Sequence, residues 1–214
     1  MSFYQHWILP RLLHLAMKNR ELAPYRARLI PEAKGQVIEI GVGSGLNLPA
    51  YGAGRVERVV GVDPSPELLA MARKAAAGNA AVPVELLERS AEELPFVDGS
   101  FDTAVVTWSL CTIPDPGRAL HELRRVLKPG GELLFVEHGL APDPGVEAWQ
   151  RRLTPLWTRC SGGCHLNRPI DRLIRSAGFQ IASLQTGYMN GLKPMSFMYE
   201  GRASSREGEN VRSC

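Results

Sequence analysis

The chain has 214 residues and a formal charge of +3, from 25 Lys plus Arg against 22 Asp plus Glu. At about 150 residues per domain, one domain with insertions accounts for it, residues 1–201, and no second large domain fits. A composition of 44% hydrophobic and 22% charged residues excludes a disordered or collagen-like chain, and the dispersed basic residues exclude a nucleic-acid-binding face.

The first predicted element is a helix within residues 1–35. Ile8, Leu12 and Leu15 share a stripe after Pro10, with Leu9, Leu13 and Ala16 beside it, and Arg11, Lys18 and Arg20 supply positive charge. Such a helix either packs over the core or a ligand as a lid, or makes weak contact with a membrane surface. The longest uncharged run in the middle of the chain, Thr103 to Pro114, is far short of the roughly 20 apolar residues that cross a bilayer. Four irregularly spaced cysteines (Cys111, Cys160, Cys164, Cys214) and no signal-peptide pattern suggest a reduced, cytoplasmic setting, with peripheral membrane contact as the variant.

From residue 37 onward, apolar runs alternate with helical patterns. Strands are predicted at Val37 to Ile40, Arg58 to Val62, Val84 to Leu87, Asp102 to Thr107 and Glu132 to Glu137, with helices at Pro66 to Ala77 and Gly117 to Leu127. This alternation implies an α/β fold with a mostly parallel sheet of seven strands, helices on both faces. Gly130-Gly131, after Lys128-Pro129, is expected to close the second helix and turn the chain into a strand. Residues 141–168, broken by Pro142, Pro144, Pro155, Gly162 and Gly163, read as a lid insertion carrying a helix at Val146 to Leu153. A helix at Pro169 to Ala177 and strands at Phe179 to Leu184 and Ser196 to Glu200 follow, and Arg202 to Cys214 reads as a flexible tail.

Chemistry concentrates where strands end. Val37-Ile38-Glu39-Ile40-Gly41-Val42-Gly43-Ser44-Gly45 runs a strand into a loop with glycine at every second position, which lets backbone approach a ligand. Leu46 stands where a dinucleotide loop has its third glycine, and the Gly-Lys-Ser/Thr of a phosphate-binding loop is missing. Twenty-two residues after Gly41, an apolar strand ends in Asp63, near the spacing of a ribose-binding carboxylate, although Asp63 could instead cap the helix after Pro64.

The pattern E-x-G-x-G-x-G resembles the nucleoside-binding loop of class I S-adenosylmethionine-dependent methyltransferases. Glu88 to Phe96 with Asp98 to Asp102 is similar to the adenine-side loop of that superfamily, and Arg118 to Gly131 to its scaffold helix and turn. The resemblance implies the cofactor S-adenosyl-L-methionine, with S-adenosyl-L-homocysteine as product, held by Glu39, Gly41, Gly43, Gly45, Asp63, Pro64, Ser90, Ala91 and Thr107. Ser90 replaces the acid many members carry, so adenine recognition leans on backbone near Ala91.

Trp108-Ser109-Leu110-Cys111, Val136-Glu137-His138, Trp149 to Trp157 and Gly163-Cys164-His165-Leu166-Asn167-Arg168 resemble, in the same order, motifs of the methyltransferase-like seven group of small-molecule thiol S-methyltransferases. That resemblance, over about residues 36 to 200, implies a small hydrophobic thiol as methyl acceptor. Related phospholipid and quinone methyltransferases offer a second acceptor class, and a non-catalytic cofactor-binding protein a third reading. A thiol reacts mainly as thiolate, which makes His138, at the end of the fifth strand, the candidate base and His165 its neighbour in role. Glu137 either orients His138 or caps the strand. Tyr4, Trp7, Cys111, Cys164, His165 and Arg168 are the candidate acceptor-pocket and lid residues, with Phe3, Trp108, Trp149, Trp157 and Tyr188 as further aromatic walls. Arg168 would hold either an anionic group or Glu137. Cys160, Cys164 and His165, three possible ligands in six residues without a second cluster, make a poor zinc site, and no metal is expected.

Overall fold

The computed structural model describes residues 4–205, and the expectations placed on Phe3, Val211 and Cys214 lie outside them. A π-helical turn, Tyr4–Ile8, leads into α1 (Leu9–Met17) and α2 (Ala23–Leu29). The elements β1 (Gly35–Ile40), β2 (Val56–Asp63), α3 (Pro66–Asn79), β3 (Val84–Glu88), β4 (Phe101–Thr107), α4 (Pro116–Val126) and β5 (Leu127–His138) then alternate as the sequence pattern requires. After α5 (Pro144–Cys160) and α6 (Ile170–Ser176) the chain ends in β6 (Phe179–Tyr188), the single turn α7 (Lys193–Ser196) and β7 (Phe197–Ser205).

The seven strands form one sheet in the order β3-β2-β1-β4-β5-β7-β6. The first five are parallel, and β7 runs antiparallel between β5 and β6. Side chains alternate across the sheet, so each strand feeds two cores. Ile38, Val60, Ala104 and Leu133 pack with Leu120, Leu123 and Ile174 on one face, while Val37, Val59, Val105 and Leu134 pack with Leu29, Tyr51 and Leu69 on the other. The order reverses between β1 and β4, and the crevice at their carboxyl ends is where open α/β sheets bind ligands.

Three boundaries differ from those read in the sequence. Lys128 to Gly131 does not separate a helix from a strand: α4 stops at Val126, β5 begins at Leu127, and the four residues bulge out of the ladder between the pairs Phe101–Leu127 and Thr103–Glu132, with Gly130 at φ 75°. The helix expected at Val146 to Leu153 runs from Pro144 through Pro155 to Cys160. Buried Gln150 fixes it, its amide donating to Gly139 O and Pro194 O and its carbonyl accepting from Ala141 N, and the Thr154 hydroxyl donates to Gln150 O at 2.7 Å. The three tertiary bonds of Gln150, with the local Thr154 bond one turn on, hold the helix across the single backbone bond that proline removes. The expected tail begins too early, because Arg202 to Ser205 belong to β7 and pair with both β5 and β6. Small residues permit this: a Cβ on Gly201 would collide with Ser183 O and the Phe135 ring.

Candidate functional site

The carboxyl ends of β1, β2 and β4 open into a cavity of about 530 Å³. Its floor is the glycine loop. Gly41, Gly43 and Gly45 all have positive φ, between 54° and 78°, and a Cβ on Gly41 would run into the Ser109 side chain. A Cβ on Gly45 would stand 3.0 Å from Ala72 Cα, so that glycine also lets α3 pack against the loop.

Asp63 ends β2 at the cavity wall, only 6% exposed. Its carboxylate accepts from Gly43 N at 3.0 Å and Ser65 N at 2.9 Å, and it does not cap α3, since Ser65 Oγ does so by accepting from Leu68 N. Burial raises its pKa, opposed by those two N–H donors. Glu39, fully buried, accepts from Asn47 Nδ2 and Tyr51 OH, each at 2.7 Å, and Asn47 Nδ2 also reaches Thr107 Oγ1 at 2.9 Å. Burial pushes Glu39 up to about 7. Pro64, Ser90, Ala91 and Thr107 line the same cavity, so eight of the nine residues anticipated around the cofactor meet there; Gly45 is not in the lining and instead packs the loop against Leu48 and Ala72.

Sequence reasoning misses Arg26, Asn47 and His14, while Trp108, expected as an aromatic wall, is in the lining. Arg26, from α2, lines the cavity with its guanidinium 4.7 Å from the Trp108 ring, and its pKa is lowered by burial. Trp108 holds φ 51°, a conformation rare for a bulky side chain. Arg26 Nε, Trp108 Nε1 and Asn47 Oδ1 are buried without a partner among the described residues, polar atoms that a ligand in this cavity would satisfy. His14 joins α1 to the loop through Ser44 Oγ at 2.8 Å.

The N-terminal helix covers the cavity with a different face from the one anticipated. Leu9, Leu13 and Met17, spaced by four, point inward with Pro10 and His14, whereas Ile8, Leu12 and Leu15 are 41%, 50% and 66% exposed. Tyr4 and Trp7 are absent from the lining. Tyr4 OH donates to Cys160 O at 2.7 Å, tying the start of the described chain to α5, and Trp7 is exposed with the Arg11 guanidinium 5.9 Å from its ring. A π-helical turn ahead of α1 changes the phase of the side chains, which a 3.6-residue period cannot anticipate. Trp149 is exposed as well and is not in the lining of this cavity. From the insertion, Ser161, Gly162 and Gly163 complete the wall.

The residues assigned to acceptor chemistry gather behind that wall. Glu137 is fully buried and accepts from the backbone N–H groups of Ser109 (2.6 Å), Leu110 (2.9 Å) and Cys111 (3.4 Å); burial pushes it up to about 7. It anchors the loop after β4 and does not orient His138. His138 is not among the lining residues, and its Nε2 contacts Cys164 Sγ at 3.0 Å. Arg168 donates to Leu110 O and Ile113 O, bracing the same loop, and among the described residues makes no hydrogen bond to Glu137. His165 N donates to Cys111 O at 2.8 Å. Cys164 meets Cys111 and His138, while Cys160 is exposed and free.

A methyltransferase domain family matches residues 38–135. A human thiol S-methyltransferase is 34% identical over 175 residues, covering 80% of this chain and 71% of that enzyme. A rat thiol S-methyltransferase is 36% identical over 153 residues, covering 70% of this chain and 62% of its partner in the match. A phosphatidylethanolamine N-methyltransferase of Cereibacter sphaeroides is 44% identical over 112 residues, 52% of this chain and 54% of that enzyme. The last two matches thus span less than two thirds of those relatives' length. A SAM-dependent methyltransferase structure from Methanosarcina mazei superposes with a TM-score of 0.66 at 24% identity, over 83% of this chain and 95% of that one. With the sheet order, the glycine loop and these relatives together, the chain belongs to the class I S-adenosylmethionine-dependent methyltransferases.

Proposed function

We propose that this chain transfers the methyl group of S-adenosylmethionine to a small hydrophobic acceptor, a thiol in the first instance. The observation that carries this reading is one cavity in which the polar cofactor residues of β1, β2 and β4 run into an apolar end made by Leu9, Leu13, Met17 and Ile113. Asp63 accepts the ribose hydroxyls on a carboxylate already oriented by two N–H donors. The glycine loop lies against the amino-acid portion, Glu39 and Asn47 with it, and Ser90 and Ala91 border the adenine.

When bound, the cofactor would supply an electrophilic methyl for in-line displacement by the acceptor thiolate, formed by loss of the thiol proton to solvent, with S-adenosylhomocysteine as leaving group. The protein's part is alignment and exclusion of water. α1 covers the cavity, held by His14 on Ser44 and by His6 on Glu67 at 2.5 Å. His138 stands behind the wall with its ring on Cys164, so it acts on the acceptor only through the position of that wall.

A lipid-borne acceptor is the second reading, favoured by one observation. Trp7, Ile8, Leu12 and Leu15 form an exposed apolar face beside Arg11 and Lys18, directly outside the cavity cover, suited to a lipid surface. Among the described residues no helix is long and apolar enough to cross a membrane.

Calorimetric titration with S-adenosylhomocysteine, followed by a methyl-transfer assay on thiols, amines, quinones and phosphatidylethanolamine vesicles, tests both readings. Turnover of small thiols without vesicles supports the first; turnover confined to lipid supports the second. In the same titration Asp63→Ala weakens binding at least tenfold, the loss of charge-assisted bonds of about 1.5–3 kcal/mol. Unchanged affinity would remove the ribose assignment.

A further inference from the structure

Behind the cavity wall, Cys111 Sγ, a ring nitrogen of His138 and Cys164 Sγ all lie within 4.8 Å of one another. They come from three separate segments: the loop after β4, the end of β5, and the loop between α5 and α6. Each is held in place. Glu137 fixes the Cys111 loop by its backbone, Arg168 braces Leu110 and Ile113, and the Cys164 loop is tied to the Cys111 loop through His165 N on Cys111 O. His138 sits in the β5–β7 ladder opposite Met198. Among the described residues its Nδ1 has no partner, and the ring's hydrogen-bond contact is the thiol of Cys164.

Two sulfurs and one imidazole form a soft donor set with no carboxylate, which excludes calcium and magnesium and suits zinc. Tetrahedral zinc with Zn–S of about 2.3 Å and Zn–N of about 2.0 Å sets its ligands somewhat under 4 Å apart, within reach of small side-chain shifts from this arrangement. We propose that Cys111, His138 and Cys164 bind one zinc-class divalent cation. Binding displaces the two thiol protons, and two thiolates neutralise the charge of the ion in a poorly hydrated place. Three protein ligands leave a fourth position for water or an exogenous thiolate. The ion fastens the segment carrying Gly162 and Gly163, and with it that part of the cavity wall, to the carboxyl edge of the sheet. The site stands independently of which acceptor the enzyme methylates.

The test uses the full chain, purified reduced, stripped with a chelator and titrated with cobalt(II) as a spectroscopic probe, then with zinc(II) against a chromophoric competitor. One equivalent per chain is expected, with thiolate-to-cobalt charge-transfer absorption, the visible bands of a tetrahedral ion, and two thiols shielded from alkylation. Cys111→Ser, Cys164→Ser and His138→Ala each weaken binding at least a hundredfold, while a Cys160→Ser/Cys214→Ser double variant binds as the parent does. S-adenosylhomocysteine titration of every variant reports whether the fold survives, and alkylation mapping of the parent chain identifies the shielded thiols without any variant. Absence of the cobalt spectrum in the parent, binding that follows Cys160 and Cys214, or a Cys111–Cys164 disulfide recovered from the reduced preparation would each overturn the proposal.

Discussion

Glu39 and Asp63 show what a buried carboxylate does at a strand end. In the sequence, Glu39 stands out through the resemblance of its glycine loop to that of the superfamily, and Asp63 through its spacing from Gly41 at the end of an apolar strand. Their partners were invisible there, since Asn47, Tyr51 and the Gly43 N–H reach them only once the loop has folded. Burial holds Glu39 at about 7 against 4.5 in an unfolded chain, so the folded state keeps a proton that the unfolded state has lost. That contribution to stability is full below pH 4.5 and disappears as the pH rises through 7. Denaturant unfolding of the cofactor-free protein between pH 4.5 and 8 will therefore show the parent losing up to about 3 kcal/mol relative to Glu39→Gln; a constant gap between them would mean that Glu39 titrates normally. Glu137 has a different job, accepting three backbone N–H groups, and Glu137→Ala is expected to cost about 2–4 kcal/mol in the same measurement by leaving those donors unpaired. Arg26 and His14 escape a reading of the sequence because nothing local distinguishes a cavity-lining arginine or histidine from a surface one, whereas Trp108, expected as an aromatic wall, does line the cavity.

Among the elements, α1 separates what periodicity can tell from what it cannot. The helix was legible from its apolar spacing, yet the stripe of Ile8, Leu12 and Leu15 is the outer face and Leu9, Leu13 and Met17 the inner one. Two apolar stripes on one short helix leave the choice to whatever packs beneath, here the glycine loop through His14 and Ser44. Leu13→Glu should consequently weaken S-adenosylhomocysteine binding at least tenfold, whereas Leu15→Glu should leave it within about twofold, as measured by calorimetry. Equal effects from the two would show that α1 does not cover the site. α5 carries the complementary lesson: proline marked a break in the sequence, and Gln150 and Thr154 carried the helix across it.

On the scale of the whole molecule, β7 decides the integrity of the sheet, since it joins β5 to β6 along its full length. Its last residues, Arg202 to Ser205, are polar or small and read as a tail because the usual mark of a strand is bulk and β-branching. A chain ending at Gly201 should lose ladder bonds on both sides of a central strand and melt about 10 °C or more below the full chain by circular dichroism; an unchanged transition would show that these residues are dispensable. What the sequence determined by itself was whatever is written in local pattern: the alternation that makes a mostly parallel sheet, the glycine spacing that opens a loop to a ligand, and the acids at the strand ends. What only the tertiary structure decided was which side chains share a space, namely the inward face of α1, the partners of Glu137 and Arg168, and the meeting of Cys111 and His138 with Cys164. Those contacts join residues tens of positions apart, and their geometry follows from how the helices and loops pack on the sheet, which no local period encodes.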